Sequence, residues 1–270
     1  MLLVSLLALV ACGADPKDGD TLDTGGDSAT DTGTSDTTDS GDTADTDPAT
    51  ASISGVVVAA DGSHPVGMEV QVCDQLCTPT TTDAGGAFQV TGLRGGSYKV
   101  DALGETVAGQ SWGHSRVHVD LEAGATHIME LPLYVPVVSA ARAITSGANI
   151  FGAVTWTVDP TSLDVPFGFD DFGFAVGSVE GAEVPGYWGV APAAVVSFLP
   201  FATEVSASFD FSVAGVWGIG LYDVYGVDVK GRLEGPVGGA ASTDGTALEG
   251  RATPSVLSWL LIVPQATPVE

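Results

Sequence analysis

Tyr98-Lys99-Val100-Asp101-Ala102 and Arg116-Val117-His118-Val119-Asp120-Leu121 place an apolar residue at every second position. Side chains along a β-strand point alternately to opposite faces, so each run predicts a strand with one face buried and one wet. Met68, Val70 and Val72 alternate with Glu69 and Gln71 in the same way, and Phe88 and Val90 flank Gln89. Between these runs fall Asp61-Gly62, Asp83-Ala84-Gly85-Gly86 and Gly95-Gly96, residues suited to tight turns. No apolar stripe of helical period is sustained, so the expected class is all-β. The organisation that follows is two antiparallel β-sandwich domains, residues 52–135 and 136–270, behind a disordered acidic linker.

The C-terminal region carries weaker signals. Val195-Val196-Ser197-Phe198-Leu199, Ser206 to Phe211, Trp217 to Tyr225 and Val256 to Val263 are candidate strands. Val227, Val229 and Leu233, alternating with Asp228, Lys230 and Arg232, read as a further half-buried strand. Proline and glycine at Asp159-Pro160, Pro166-Phe167-Gly168, Pro185-Gly186 and Gly235-Pro236 punctuate them. Ala140 to Ile144 reads as one short helical turn.

Residues 13–50 hold eleven Asp, ten Thr, six Gly, three Ser and two Pro, with Leu22 the single large apolar residue. Such a segment cannot bury enough surface to offset its ordering entropy. Self-repulsion among the aspartates extends it, and flexible-chain scaling gives at least about 35 Å end to end. It reads as a stalk. The chain carries a net charge of −26, of which −10 lies in this stalk and −16 in the remainder, a balance that argues against a nucleic-acid partner.

Leu9-Val10-Ala11-Cys12, at the end of an apolar run from Leu2, resembles the lipobox of bacterial lipoproteins. The resemblance implies that residues 1–11 are a signal peptide, that Cys12 becomes the lipidated N-terminus, that residues 12–51 form the linker, and that the membrane is reached through the lipid. Gly13 stands where an acidic residue commonly retains such lipoproteins in the inner membrane. The implied location is the cell envelope, as an outer-membrane lipoprotein that is periplasmic or surface-exposed. A spanning helix needs about 20 apolar residues, and the polar segment begins at residue 13.

A second resemblance rests on four ordered blocks: Gly55-Val56-Val57, Asp61-Gly62-Ser63-His64-Pro65-Val66, Thr82-Asp83-Ala84-Gly85-Gly86-Ala87-Phe88 and Leu93-Arg94-Gly95-Gly96-Ser97-Tyr98-Lys99-Val100. These resemble the carboxypeptidase regulatory-like domain over roughly Ser52 to Leu133. The resemblance implies a transthyretin-like sandwich, an accessory module of secreted and outer-membrane proteins without catalytic members among its motif residues.

If Cys12 takes lipid, Cys73 and Cys77 remain as a pair, which suits an oxidising compartment. An extended strand would hold their Cα atoms about 13 Å apart, and a disulfide needs less than about 7 Å. The predicted bridge therefore requires Asp74 to Leu76 to turn. Free thiols and zinc are the alternatives; zinc needs two further ligands, and only His64 lies nearby in sequence.

All four histidines precede residue 128 and no cysteine follows Cys77. Residues 136–270 thus have no His-assisted nucleophile and no His or Cys metal site. His114 and His118, on one face of an extended strand, would stand about 13 Å apart, too far for a common ion, and are expected at the surface near Arg116 and Asp120. No glycine-rich phosphate loop is present. Asp170, Asp171, Glu180 and Glu183 lie near Phe167, Phe169, Phe172, Tyr187 and Trp188, and paired carboxylates beside aromatics are what a glycosidase uses. Solvated loop carboxylates are the preferred reading, because acid is in excess throughout and Asp170 and Asp171 would face opposite ways. Tyr187 and Trp188 are candidate glycan contacts, with core packing the preferred reading. The expectation is a protein with no catalytic residue, no cofactor and no metal. Its role would be structural, adhesive or protein-binding, toward an unidentified protein or glycan partner. A carbohydrate-binding accessory protein and a carboxylate-dependent glycoside hydrolase are the alternatives.

Overall fold

The computed structural model describes residues 50–104, 106–107, 110–166 and 173–266. Cys12, the acidic segment to residue 49, and Phe167, Phe169, Asp170, Asp171 and Phe172 lie outside the described residues. In chain order the strands are β1 (Ala51–Ala59), β2 (Glu69–Cys73), β3 (Cys77–Thr81), β4 (Ala87–Leu93), β5 (Gly96–Ala102), β6 (Thr106–Val107), β7 (Gln110–Ser111), β8 (Ser115–Leu121), β9 (Thr126–Ile128), β10 (Leu133–Val135) and β11 (Ala148–Phe151). They continue as β12 (Val154–Thr157), β13 (Leu163–Asp164), β14 (Ala175–Glu180), β15 (Ala194–Leu199), β16 (Thr203–Val205), β17 (Phe209–Ala214), β18 (Gly220–Val227), β19 (Leu233–Ser242), β20 (Ala247–Ala252), β21 (Val256–Leu257) and β22 (Trp259–Pro264). The all-β class holds, and among the described residues no helix is long and apolar enough to cross a membrane.

The four period-two runs of the N-terminal part become β2, β4, β5 and β8. One antiparallel sheet has the order β3-β2-β5-β8. The facing sheet is built on β1, which pairs antiparallel with β4 on one side and parallel with β9 and β10 on the other. The parallel pairings depart from the expected all-antiparallel sandwich. They are possible because the rest of the module lies between β1 and β9, a connection long enough to bring the chain back in the same direction. Ile53, Val70, Phe88, Val100, Val119 and Leu133 fill the space between the sheets. Asp83 closes the turn before β4, its carboxylate accepting from Gly85 N at 2.8 Å and Ala87 N at 2.9 Å, while Gly86 takes φ +73°.

The β2–β3 hairpin places Cys73 directly opposite Cys77, with Cα atoms 4.0 Å apart and a disulfide between them. Asp74 to Leu76 make the turn that the spacing requires.

The C-terminal part is one nine-stranded antiparallel sheet of order β11-β12-β17-β20-β19-β18-β22-β15-β14, with a three-stranded sheet β13-β16-β21 beside it. The long sheet rolls on itself: Trp156 of β12, near one end, meets Phe174, next to β14 at the other end, with ring centroids 5.3 Å apart. Trp156 also packs edge-on against Phe198 of β15 at 5.3 Å and Phe209 of β17 at 5.9 Å. Residues 140–144, expected as a helical turn, are extended instead. Arg142 exchanges backbone hydrogen bonds with Phe174 at 2.9 and 2.7 Å, and its guanidinium lies 4.2 Å from the Phe151 ring of β11, so this segment bridges the two ends of the sheet.

The expected strand through Val227, Val229 and Leu233 is also corrected. β18 ends at Val227 and β19 begins at Leu233. Asp228 folds the chain between them by accepting from Lys230 N at 2.8 Å and Arg232 N at 2.9 Å. An aspartate that can satisfy two backbone donors here outweighs the alternation.

Trp156 is fully buried. Its removal in Trp156→Ala is expected to cost about 3–5 kcal/mol, measured by urea denaturation. Trp156→Phe should cost clearly less, since the indole N–H has no hydrogen-bond partner to lose. Equal losses for the two variants would contradict this account of the core.

Candidate functional site: a buried polar junction

Alternation in β5 and β8 assigns Asp101, Arg116, His118 and Asp120 to the wet face of their sheet. At the Asp120 end the face is wet, and Asp120 is exposed. At the other end it is covered: Asp101 is 1% and Arg116 9% exposed. The cover comes from the sheets formed after residue 135, the second module, as those before it are the first.

Arg116 organises this contact. Its Nε and Nη2 donate to the two oxygens of Asp101 at 2.5 and 2.7 Å, a bidentate pair between neighbouring strands β5 and β8. Its Nη1 donates at 2.8 Å to the carbonyl of Val229 in the Asp228–Arg232 turn of the second module. That turn can approach so closely because residue 231 is glycine: a Cβ there would stand 2.9 Å from Arg116 Cγ, and the φ of +79° suits glycine as well. Phe201, after β15, takes the Arg116 guanidinium 4.4 Å from its ring centre and the His114 ring 4.1 Å away, inclined by 15°.

His114 is buried, against the expectation of a surface residue. It precedes β8, where the second module covers the outer face, and the carbonyl of His114 accepts from Trp259 Nε1 at 2.6 Å. His118, further along β8, is partly exposed and lies 3.2 Å from the Asp120 carboxylate. The two histidines thus sit in different environments and do not form a common ligand set.

Around this polar centre lies an apolar cluster of Tyr134 from the first module with Val184, Val195, Val227, Trp259 and Leu261 from the second. Tyr187 and Trp188 belong to it. The Tyr187 hydroxyl donates to the carbonyl of Pro132 and accepts from Tyr134 N at 2.8 Å, and Trp188 Nε1 donates to Gly231 O at 2.9 Å. Their rings are inclined by 80° to one another and are half-buried, so they do not make a flat exposed platform. Glu180 is exposed, and Glu183 accepts from the Tyr134 hydroxyl at 3.2 Å. Among the described residues no group of three or more His, Cys, Asp or Glu side chains is placed to hold a metal ion.

Burial by itself would push the Asp101 carboxyl up, but the adjoining His114 ring and the Arg116 guanidinium outweigh it and hold its pKa at about 2. Burial pushes the His114 imidazole down, and the attraction of Asp101 does not offset it. The arrangement therefore suits a charged Arg–Asp pair beside a neutral histidine. Sequence reasoning did not find Phe201 or the Asp228–Arg232 turn as parts of this centre. The signal available for the turn was Gly231 three residues after Asp228.

No protein-family model matches the chain, and no curated protein matches it. Among solved structures the chain is similar to a minor pilin of Streptococcus agalactiae, at 18% identity over 36% of this chain and 49% of that one, with a TM-score of 0.28. It is similar to a DUF3823 family protein from Parabacteroides merdae, at 12% identity over 62% of this chain and 92% of that one, TM-score 0.26. The major pilin subunit of Bacillus cereus is matched at 10% identity over 81% of this chain and 60% of that one, TM-score 0.26. The chain spans about half the length of the first of these. Likenesses this remote carry no argument about what the protein does.

Breaking the buried pair leaves a carboxylate without its cation, so Arg116→Met is expected to cost about 3–5 kcal/mol at neutral pH. The folded pKa of Asp101 lies below its ordinary value of 3.8. The pair's contribution is therefore complete above about pH 4 and is lost as pH falls toward 2. Chemical denaturation of both proteins across that window should show the stability gap closing on acidification. A gap that stays constant would contradict the assignment.

Proposed function

We propose that this is a lipid-anchored protein of the cell envelope. Cys12 carries the lipid, residues 13–51 form an extended acidic stalk, and the two β modules, 52–135 and 136–270, form a body with a non-catalytic structural, adhesive or protein-binding role. The first module is read as carboxypeptidase regulatory-like, on the four sequence blocks that resemble that family. The outer-membrane location rests on Gly13 beside the lipidated cysteine.

One observation supports the non-catalytic reading of the body. The side chains that look most like chemistry, Asp101, His114, Arg116, Tyr187 and Trp188, are gathered at one place, where Arg116, His114 and Tyr187 bond or stack across the modules while Asp101 and Trp188 hold partners within their own. Asp101, His114 and Arg116 are sealed from solvent, where no substrate reaches them. Tyr187 and Trp188 hold backbone carbonyls through their polar atoms, a role that leaves the glycan-contact alternative without a platform of stacked rings. The result is a body whose parts are fixed relative to one another, suited to carrying a surface at the end of a tether.

Anchoring is tested by changing Cys12 to Ala in the full chain and fractionating cells. The unaltered protein should partition with membranes and the variant should be soluble. Retention of the variant in the membrane fraction would overturn the lipid assignment.

A further inference from the structure

His114 meets the junction from several sides. Its ring lies flat on Phe201, its carbonyl holds the indole N–H of Trp259, and Gly113 before it is pressed against Pro136 and Ser197. Its Nε2 stands 3.7 Å from Asp101 Oδ1, a long polar contact, and this buried atom makes no hydrogen bond of ordinary length. The charged groups that face the ring all come from the first module: Asp101 and Lys99 on β5 and Arg116 on β8. The second module contributes Phe201 and Trp259, which carry no charge.

Both Asp101 oxygens are already engaged by Arg116. A proton on His114 therefore adds a second cation beside one carboxylate that is already neutralised, in a place closed to water. Burial accordingly pushes the imidazole below its ordinary pKa of 6.5. With the modules apart, the ring reaches solvent and takes the proton freely. The two module cores are separate clusters, one around Trp156 and one around Val100, while the cluster containing Trp259 and Tyr134 lies at the junction. Each module thus has a core cluster of its own beside the junction cluster.

We propose that the junction is an acid-operated hinge, in which uptake of one proton by His114 releases the second module from the outer face of β5 and β8 while both modules stay folded. The sign follows from linkage. Between the ordinary histidine pKa and the lowered value of His114 in the closed body, the open form holds one proton more than the closed form. The opening equilibrium therefore rises about tenfold for each unit of pH lost in that window and is flat above it. The hinge does not depend on the lipid anchor.

The test is amide and indole hydrogen exchange of the full chain by NMR from pH 8 to pH 5, corrected for intrinsic rates. The Trp259 indole proton, held by His114, reports the junction; that of Trp156, at the centre of the second core, reports unfolding of that module. Trp259 opening should rise as pH falls below about 6.5, with a limiting slope of about tenfold per unit, while Trp156 stays unchanged. His114→Phe keeps the stack on Phe201 and cannot take the proton, so its Trp259 exchange should show no such slope. Should that variant fail to fold, His114→Gln takes its place and should likewise abolish the slope; the His114 ring of the unaltered protein must also titrate below the ordinary histidine value. A flat Trp259 profile, a Trp156 profile that rises with it, a slope that persists in His114→Phe or His114→Gln, or a ring midpoint at or above the ordinary value each overturns it.

Discussion

The bidentate pair between Asp101 and Arg116 is the constraint on which the arrangement of the two modules depends. Two charges removed from water carry a desolvation cost of several kcal/mol each, and the pair offsets it only when geometry is good and the remaining donors are satisfied. The geometry is set within the first module, by the neighbouring strands β5 and β8. The second module excludes water from the pair, and its Val229 carbonyl accepts from Nη1, one of the Arg116 donors that Asp101 does not use. An apolar patch of Tyr134, Trp259 and Leu261 could be packed in more than one register. The chain from Asp101 through Arg116 to Val229 is satisfied in one, because the glycine at position 231 admits Arg116 and any larger residue would meet it.

The first module was largely legible because its strands alternate cleanly between the core and polar residues. Val70 and Val72, Phe88 and Val90, Tyr98 and Val100, and Val117 and Val119 are all buried as the pattern requires. The same pattern could not reveal that the polar face of β5 and β8 is covered at one end. Asp101 and Arg116 look like solvated strand residues from sequence, and only the tertiary contact removes them from water. The cysteine spacing was informative for the opposite reason: a disulfide leaves little geometric freedom, and a turn at Asp74 to Leu76 was the way to close it.

The second module was harder. β19 and β20 contain Val237-Gly238-Gly239-Ala240-Ala241 and Leu248-Glu249-Gly250, too few large side chains for a period of two to register. The small residues are there because the sheet rolls tightly: a Cβ on Gly250 would come within 2.5 Å of the Phe211 ring, and one on Gly238 within 2.0 Å of the Arg251 carbonyl. Packing against neighbours, invisible in a single strand, sets those residues. At Val227 to Leu233 an apparent alternation concealed a turn, since one well-placed aspartate decides the local backbone. At the candidate site, Tyr187 and Trp188 are visible by residue type, but that Tyr187 ties the two modules together through Pro132 and Tyr134, and that Trp188 braces the Asp228–Arg232 turn, comes only from the bonds of their polar atoms.

The two modules are expected to form one cooperative body at neutral pH, held through Arg116. Scanning calorimetry of the full chain at pH 7.5 tests it most directly. One body unfolds in a single transition whose calorimetric and van't Hoff enthalpies agree, and that is the predicted result. Two separable transitions, each with its own midpoint and unaffected by Arg116→Met, would contradict it.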